Sequence, residues 1–153
     1  MIYIISSMKL YFDTCCYGRP YDRQTGAIYA ESEAIQNIIK LALWYGYKIF
    51  GSATLETEID QISSPEKHGD VFAFYTRSIT DRAYLKKGVF EHVSPMALRA
   101  GVRGLDVFHL CIAISAVADY LLTTDKGFLK AVARLDLPIK VINPLQFPLG
   151  GMV

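Results

Sequence analysis

Four acidic residues lie where a folded chain could bring them together. Asp13 ends the hydrophobic run "KLYFD" and Asp125 ends the similar run "DYLLTTD", while Glu58 lies in "TLETEIDQI" and Asp106 begins "DVFHLCIAISAVA". Such a cluster of like charges is unstable without a cation, and ligands that are all oxygen select Mg²⁺ or Mn²⁺ over zinc or copper. These ions serve phosphoryl transfer, so metal-assisted phosphodiester hydrolysis is the leading chemical prediction.

Glu58 is favoured over its neighbour Glu56 by helical periodicity. Leu55, Ile59 and Ile62 define one apolar face of the predicted helix, and Glu58 falls on that face while Glu56 falls outside it. A carboxylate on the inward face needs a partner, because an unpaired buried charge is costly. Glu58 is therefore the predicted site residue of this helix, with Glu56 as the weaker choice.

Each of the other acids also has an ordinary structural interpretation. A lone aspartate at the end of a strand, such as Asp13, is most often a turn former or a helix cap, and Asp125, taken alone, is slightly better explained as an N-cap. Asp106 is explained by the preference of a helix dipole for an acid in its first turn. His109 is interpreted as a packed or hydrogen-bonded histidine in preference to a member of the site. Asp119 is assigned to a turn at the opposite end of its strand.

The elements that position these acids alternate between strands and helices. Strands are predicted at 9–13, 47–52, 89–95, 119–124 and 139–144. Helices are predicted at about 29–45, 53–62, 66–78, from about 95, at 106–118 and at 126–134, with a loop over 15–26. This order predicts a parallel sheet covered on both faces, with the site at the carboxyl ends of the strands.

Composition is that of one compact domain. The chain has 153 residues, of which 52% are hydrophobic and 20% charged, so we expect a single domain over 1–153 with a substantial core. Residues 1–7 are either a loose N-terminal extension, with Met8 as the true start, or the flank of the first strand. The formal net charge of +1 neither favours nor excludes a nucleic-acid partner.

The cysteines and the apolar segments bear on the compartment. Cys15 and Cys16 are adjacent and Cys111 stands alone, which is the spacing of neither a disulfide framework nor a zinc site. The apolar stretch 105–118 is too short and too interrupted to span a bilayer, and the N-terminus lacks the features of a signal peptide. We therefore expect a cytoplasmic protein with no membrane association.

Several segments together resemble the PIN-domain family. "KLYFDT" is similar to its first strand and aspartate, "SATLETEI" to the helix with the glutamate, "GLDVFHLCIA" to the segment of the third acid, and "DYLLTTD" to that of the fourth. "DTCCYGRPYD" and "VINPLQFP" are similar to an uncharacterised prokaryotic subgroup. The loop over 15–26 and the linker "SSPEKHGD" depart from the compact toxins of the family.

The resemblance implies a three-layer α/β/α sandwich with a central parallel sheet of four to five strands. It also implies a cytoplasmic Mg²⁺- or Mn²⁺-dependent endoribonuclease, a homodimer, and, for many prokaryotic members, a toxin with an antitoxin partner. Asp13, Glu58, Asp106 and Asp125 match the acidic site. Thr123 matches a hydroxyl residue from which we expect a supporting hydrogen bond, and Thr14 is a second supporting candidate.

The expected reaction is hydrolysis by a metal-activated water. Asp13 and Asp106 are expected to bind Mg²⁺ directly, and Glu58 and Asp125 to hold its waters or a second ion. In-line attack with departure of the 3′ oxygen leaves 5′-phosphate and 3′-hydroxyl ends. The 2′-hydroxyl is not the nucleophile in this scheme, so the chemistry alone does not exclude DNA.

Substrate contacts are predicted near the mouth of the site. Arg19, Arg23 and Lys126 are candidates for phosphate contacts, against the alternative that each is a solvated basic side chain. Tyr17 and Tyr21 are candidates for stacking on bases, against a role in the core.

Two further function classes stay open from sequence. One is a non-catalytic PIN-like module that binds RNA or protein, which an intact set of four acids disfavours. The other is a phosphatase or other small-molecule hydrolase, which is disfavoured because "DTC" stands where an Asp-x-Asp nucleophile motif is expected.

Overall fold

The computed structural model describes residues 8–148, and its centre is a sheet of five parallel strands. The strands are Lys9–Phe12 (β1), Lys48–Gly51 (β2), Asp81–Arg82 (β3), Tyr120–Leu122 (β4) and Lys140–Ile142 (β5). Their order across the sheet is β3-β2-β1-β4-β5. The predicted α/β class with a parallel sheet is confirmed, whereas the suggested extension over 1–7 lies outside the described residues.

Seven α-helices flank this sheet within residues 8–148. They are Thr14–Gly18 (α1), Gly26–Tyr45 (α2), Ala53–Asp60 (α3), Pro65–Ser78 (α4), Lys87–Ala100 (α5), Leu105–Ser115 (α6) and Lys126–Val132 (α7). None of the helices in this range is long and apolar enough to cross a membrane.

The central strand β1 fixes the position of the first acid. Leu10, Tyr11 and Phe12 are fully buried, as expected for a strand paired on both sides and covered on both faces. Phe12 lies beside Leu122 in the register with β4, so the two strands end at the same level. Asp13 and Thr123, the next residues along, therefore lie at the carboxyl edge of the sheet.

The predicted strand at 89–95 is wrong, because this segment belongs to α5. Pro95 lies inside the helix rather than at its start. Val93 and Ala97 are buried one turn apart, which is helical spacing, while Glu91, whose carbonyl loses its usual donor to the proline, is exposed. Burial of the apolar face outweighs the missing hydrogen bond.

The edge strand β3 was not predicted. It consists of Asp81 and Arg82 and therefore shows no hydrophobic alternation. Its position is set by tertiary hydrogen bonds, from the amide of Thr80 to the carbonyl of Ile49 and from that of Ala83 to the carbonyl of Gly51.

The predicted loop over 15–26 is largely ordered helix. Helix α1 is followed directly by a 3-10 turn at Arg19–Tyr21, and α2 begins at Gly26 rather than near Tyr29. The Asp13 side chain caps α1, and Arg19 pairs with Glu31 of α2 at 3.1 Å. A side-chain cap and an ion pair thus hold a segment whose glycine and proline content is typical of a loop.

Candidate metal centre

Asp13 and Asp106 lie together at the carboxyl edge of the sheet. Asp13 directly follows β1, and Asp106 is in the first turn of α6. Ligand atoms of Asp13, Asp106 and His109 all lie within 4.8 Å of one another. The sequence-predicted first and third acids are therefore close enough to share one cation.

The Asp13 carboxylate is held by two hydrogen-bond donors. The amide of Cys15 donates to Oδ1 at 3.1 Å, and the Thr123 hydroxyl donates to Oδ2 at 2.7 Å. The helix-cap interpretation of Asp13 and the expected hydrogen bond from Thr123 are both correct. With only 4% of Asp13 exposed, these contacts fix its carboxylate in one orientation.

Asp106 has the fewest hydrogen bonds of the four acids in the described structure. It is partly buried, and within residues 8–148 no hydrogen-bond donor reaches its carboxylate. Burial is the main cause that raises its pKa to about 7, and the negative charges of Asp13, Asp125 and Glu58 raise it further, against the opposing effect of His109. A cation at this point would favour the ionised carboxylate and so oppose the shift.

Glu58 is kept ionised by two neighbours. It accepts hydrogen bonds from the Thr14 hydroxyl at 2.8 Å and from Nε2 of His109. Partial burial opposes ionisation of Glu58, but the hydrogen bond and charge of His109 and the bond from Thr14 outweigh it, so the net pKa is lowered. The periodicity argument that turned Glu58 inward is consistent with these contacts.

His109 belongs to a buried chain of hydrogen bonds behind the site. Its Nδ1 lies 2.6 Å from the Tyr11 hydroxyl, which lies 2.8 Å from Oγ of Ser52, the residue that caps α3. Because Nε2 donates to the Glu58 carboxylate and Nδ1 is bound to Tyr11, neither ring nitrogen has a free lone pair in this arrangement. His109 is thus hydrogen-bonded, as interpreted from sequence, and the oxygens of Asp13 and Asp106 remain for a metal.

Asp125 caps a helix and also lines the site. Its Oδ1 accepts a hydrogen bond from the amide of Phe128 at 3.1 Å, so the N-cap interpretation holds. A cavity of about 320 Å³ is nevertheless lined by all four predicted acids, together with other residues. That set of acids is Asp13, Glu58, Asp106 and Asp125. Asp125, the exposed member, lies on the rim.

Glu56, the weaker alternative to Glu58, is committed elsewhere. Its carboxylate forms two hydrogen bonds to Arg82, at 2.6 and 2.8 Å, and accepts a third from the Tyr75 hydroxyl at 2.8 Å. Hydrogen bonding to Arg82 is the main cause of its lowered pKa. Glu56 does not line the acidic cavity, so the two glutamates of α3 are clearly separated.

The basic residues predicted near the mouth are differently placed. Arg19 is neutralised by Asp22 and Glu31, each at 3.1 Å, while Arg23 and Lys126 are exposed and do not line the acidic cavity. Lys67 does line it, held by Asp22 at 2.7 Å. Nothing in the local sequence of Lys67 indicated this position.

The proposed stacking role of two tyrosines is not supported for Tyr17. Tyr17 is fully buried and packs edge-to-face on Phe74 and Tyr75. Tyr21 is partly buried and packs on Phe74 as well. The core interpretation of Tyr17 is therefore correct.

The donor set fits a hard divalent cation. Asp13 and Asp106 offer carboxylate oxygens at one point, and the Asp106 carboxylate accepts no hydrogen bond within the described chain. Oxygen ligands of this kind suit Mg²⁺ and Mn²⁺. Thr123, Thr14 and His109 would orient the ligands from behind.

The comparisons with known proteins bear on the fold. The sequence matches no protein-family model, and no curated protein matches it. Among solved structures, the chain is similar to FitAcB from Neisseria gonorrhoeae, with a TM-score of 0.56 and 14% sequence identity over 90% of this chain and 99% of that chain. At this level of identity the likeness shows the fold alone, and the fold of this chain is PIN-like.

Proposed function

We propose that this protein is a metal-dependent endoribonuclease that hydrolyses phosphodiester bonds of RNA with Mg²⁺ or Mn²⁺. The observation that carries the proposal is the partly buried Asp106 carboxylate beside Asp13, with no hydrogen-bond donor among residues 8–148. A PIN-like fold and two further acids on the same cavity support it. They are Glu58 and Asp125.

In this proposal each acid has a separate task. Asp13 and Asp106 would bind the cation, while Glu58 and Asp125 would hold its waters or a second ion. When bound, the cation supplies an activated water and neutralises charge on the phosphate. Thr123 fixes the orientation of Asp13, and Thr14 and His109 keep Glu58 ionised and therefore able to accept hydrogen bonds.

Replacement of Asp13 tests the proposal. Asp13→Asn should abolish Mn²⁺-dependent cleavage of single-stranded RNA by the purified protein, because the amide carries no charge. Asp119→Asn is a matched control: Asp119 lies at the opposite end of the sheet, where it accepts a hydrogen bond from the Lys9 amide at 2.8 Å. Cleavage retained by the Asp13 variant would refute the assignment.

Calorimetric titration with Mn²⁺ separates the enzyme from a non-catalytic module. The wild type should bind Mn²⁺ and Asp13→Asn should bind it much more weakly. A wild type that binds no Mn²⁺ would favour a PIN-like module that binds RNA or protein.

We further propose, from the family resemblance, that the protein is the toxin of a toxin–antitoxin pair and acts as a homodimer in the cytoplasm. A neighbouring short reading frame that encodes a DNA-binding protein would support the toxin role. Co-expression of the two proteins should then give a stable complex in which RNA cleavage is suppressed. Cleavage that continues unchanged in such a complex would contradict it.

A further inference from the structure

A second cleft adjoins the acidic cavity and differs from it in charge. Its volume is about 520 Å³, and it shares Asp106 and Asp125 with the acidic cavity. Three basic residues also line it. They are Arg103 in the turn before α6, Lys130 in the last turn of α7, and Arg134 just beyond that helix.

These three cations have no acidic partner in the described part of the chain. All three are exposed, and none takes part in an ion pair or a side-chain hydrogen bond within residues 8–148. The acids that line the cleft are Asp106 and Asp125, which also line the acidic cavity. The positive charge of the cleft is therefore available to a ligand.

On the other side of the acidic cavity, the positive charges are neutralised by acids. Lys67, which lines it there, pairs with Asp22 at 2.7 Å, and Arg19 pairs with both Asp22 and Glu31. Within residues 8–148, the basic residues that line either cavity and form no ion pair are Arg103, Lys130 and Arg134, and all three lie in the cleft. The charge around the four acids is asymmetric.

We propose that this cleft binds the backbone phosphates of a single-stranded nucleic acid on one side of the bond that is cut. The inference rests on the proposed function for the position of that bond. Several separate cations, beside a site that acts on phosphodiesters, suit a chain of phosphates, because each contact releases counterions and adds to the affinity. On the other side of the acidic cavity, Lys67 and Arg19 are already paired with acids, so the footprint extends mainly in one direction.

Charge-neutral variants of the cleft test the proposal. The triple variant Arg103→Gln, Lys130→Gln, Arg134→Gln is compared with Lys40→Gln, Lys48→Gln, Lys87→Gln, which makes the same change in net charge at exposed lysines that do not line the cleft. Both are made in the Asp13→Asn background, and binding of a labelled single-stranded 12-nucleotide RNA is followed by fluorescence anisotropy over a range of salt. Circular dichroism confirms that both fold.

The cleft variant should bind the RNA at least about 30-fold more weakly, and its salt slope should fall by about 2, since each phosphate contact on a single strand contributes about 0.7. The control variant should lose less than about threefold with an unchanged slope. Equal losses in the two variants would overturn the proposal.

The same variants in the active background separate this inference from the proposed function. If the active protein with the cleft substitutions cuts RNA as fast as the active protein with the control substitutions, the ribonuclease assignment stands and the cleft proposal is overturned. If RNA binding depends on the cleft but no RNA is cut in Mn²⁺, the cleft proposal stands and the ribonuclease assignment is overturned. A wild type that binds no RNA overturns both.

Substrate length gives an independent readout of direction. Two RNAs that are extended by several nucleotides on the 5′ or on the 3′ side of the cut should differ in KM for the wild type. The cleft variant should lose that difference, while the control variant keeps it. A wild type with no preference between the two extensions would overturn the one-sided footprint.

Discussion

The Thr123 hydroxyl donates to Oδ2 of Asp13 across 2.7 Å and so joins the carboxyl ends of two neighbouring parallel strands. The same hydroxyl oxygen accepts a hydrogen bond from the amide of Asp125 at 3.1 Å. One buried side chain therefore orients the first acid and the turn that carries the fourth. A threonine two residues before Asp125 thus contacts a carboxylate that is distant in sequence.

Thr123→Val removes this contact without changing the size of the side chain. We expect Mn²⁺ affinity and cleavage to fall by about tenfold, as is typical when a residue that orients a metal ligand is lost. The free energy of unfolding should fall by about 1–2 kcal/mol, because the buried Asp13 carboxylate loses a donor and the amide of Asp125 loses its acceptor. Calorimetry, cleavage assays and urea unfolding measure the three quantities.

Thr124→Val is the matched control for that prediction. Thr124 is also buried, but its hydroxyl oxygen has no hydrogen-bond partner in the described structure. Its replacement should leave cleavage within about twofold and should not lower stability, because an unsatisfied buried hydroxyl is removed. If both variants behaved alike, the role of the Thr123 hydroxyl would be wrong.

The two glutamates of α3 should respond differently to the same substitution. Glu58→Gln should lower Mn²⁺-dependent cleavage by about 10²-fold, because the amide of glutamine cannot carry the negative charge of the glutamate. Glu56→Gln should leave cleavage within about twofold. It should lower stability by at most about 1 kcal/mol, since the ion pair of Glu56 with Arg82 is partly exposed. Initial rates at saturating Mn²⁺ decide, and comparable losses would contradict the separation of the two residues.

The acids at the strand ends could be predicted because a buried strand is visible in the sequence as a hydrophobic run. Hydrophobic runs before Asp13 and Asp125 indicate buried parallel strands, and such strands deliver the next residues to one edge of the sheet. The position of Glu58 followed from the helical period of Leu55 and Ile59, which are both fully buried.

The remaining features depend on contacts between distant segments. Tyr11, Ser52 and His109 come from three elements, and only the folded chain brings their polar atoms together. Lys130 lies in the last turn of α7 and Arg134 just beyond that helix. That they form no ion pair within residues 8–148, whereas Arg19 forms two, is a property of tertiary structure.

Asp106 should destabilise the metal-free protein at neutral pH. Its pKa is raised to about 7 in the folded state, so ionisation opposes folding from the unfolded pKa near 4 up to about 7. In EDTA, Asp106→Asn should therefore be more stable than the wild type at pH 8 and equal to it near pH 4. Because solvent screens this partly exposed group, we expect a gain of about 1 kcal/mol, or about 3 °C in Tm. A variant that is less stable than wild type at pH 8 would contradict this.

Binding of Mn²⁺ should weaken as pH falls through about 7, because a proton on Asp106 competes with the cation. From well above pH 7 down to pH 6, the affinity should fall by about tenfold for one displaced proton. Calorimetry in buffers of different ionisation enthalpy measures both the affinity and the proton released. Binding that is constant between pH 6 and 8, without proton release, would contradict a ligand role for Asp106.

Gly51 ends β2 where the Tyr75 side chain lies directly against the backbone. A Cβ at this position would lie 2.5 Å from the Tyr75 hydroxyl oxygen and 2.7 Å from Cδ1 of Ile79, and that hydroxyl accepts a hydrogen bond from the Ser52 amide. Gly51→Ala should therefore lower the free energy of unfolding by about 1–3 kcal/mol, as expected for overpacking. Gly69→Ala is the control, because a Cβ there meets nothing within 4 Å and alanine favours the interior of α4. Gly51→Ala should also disturb Ser52, the cap of the helix that carries Glu58, so urea unfolding and Mn²⁺-dependent cleavage should both show the loss. An alanine at 51 that changed neither would mean that Tyr75 does not hold this end of the strand.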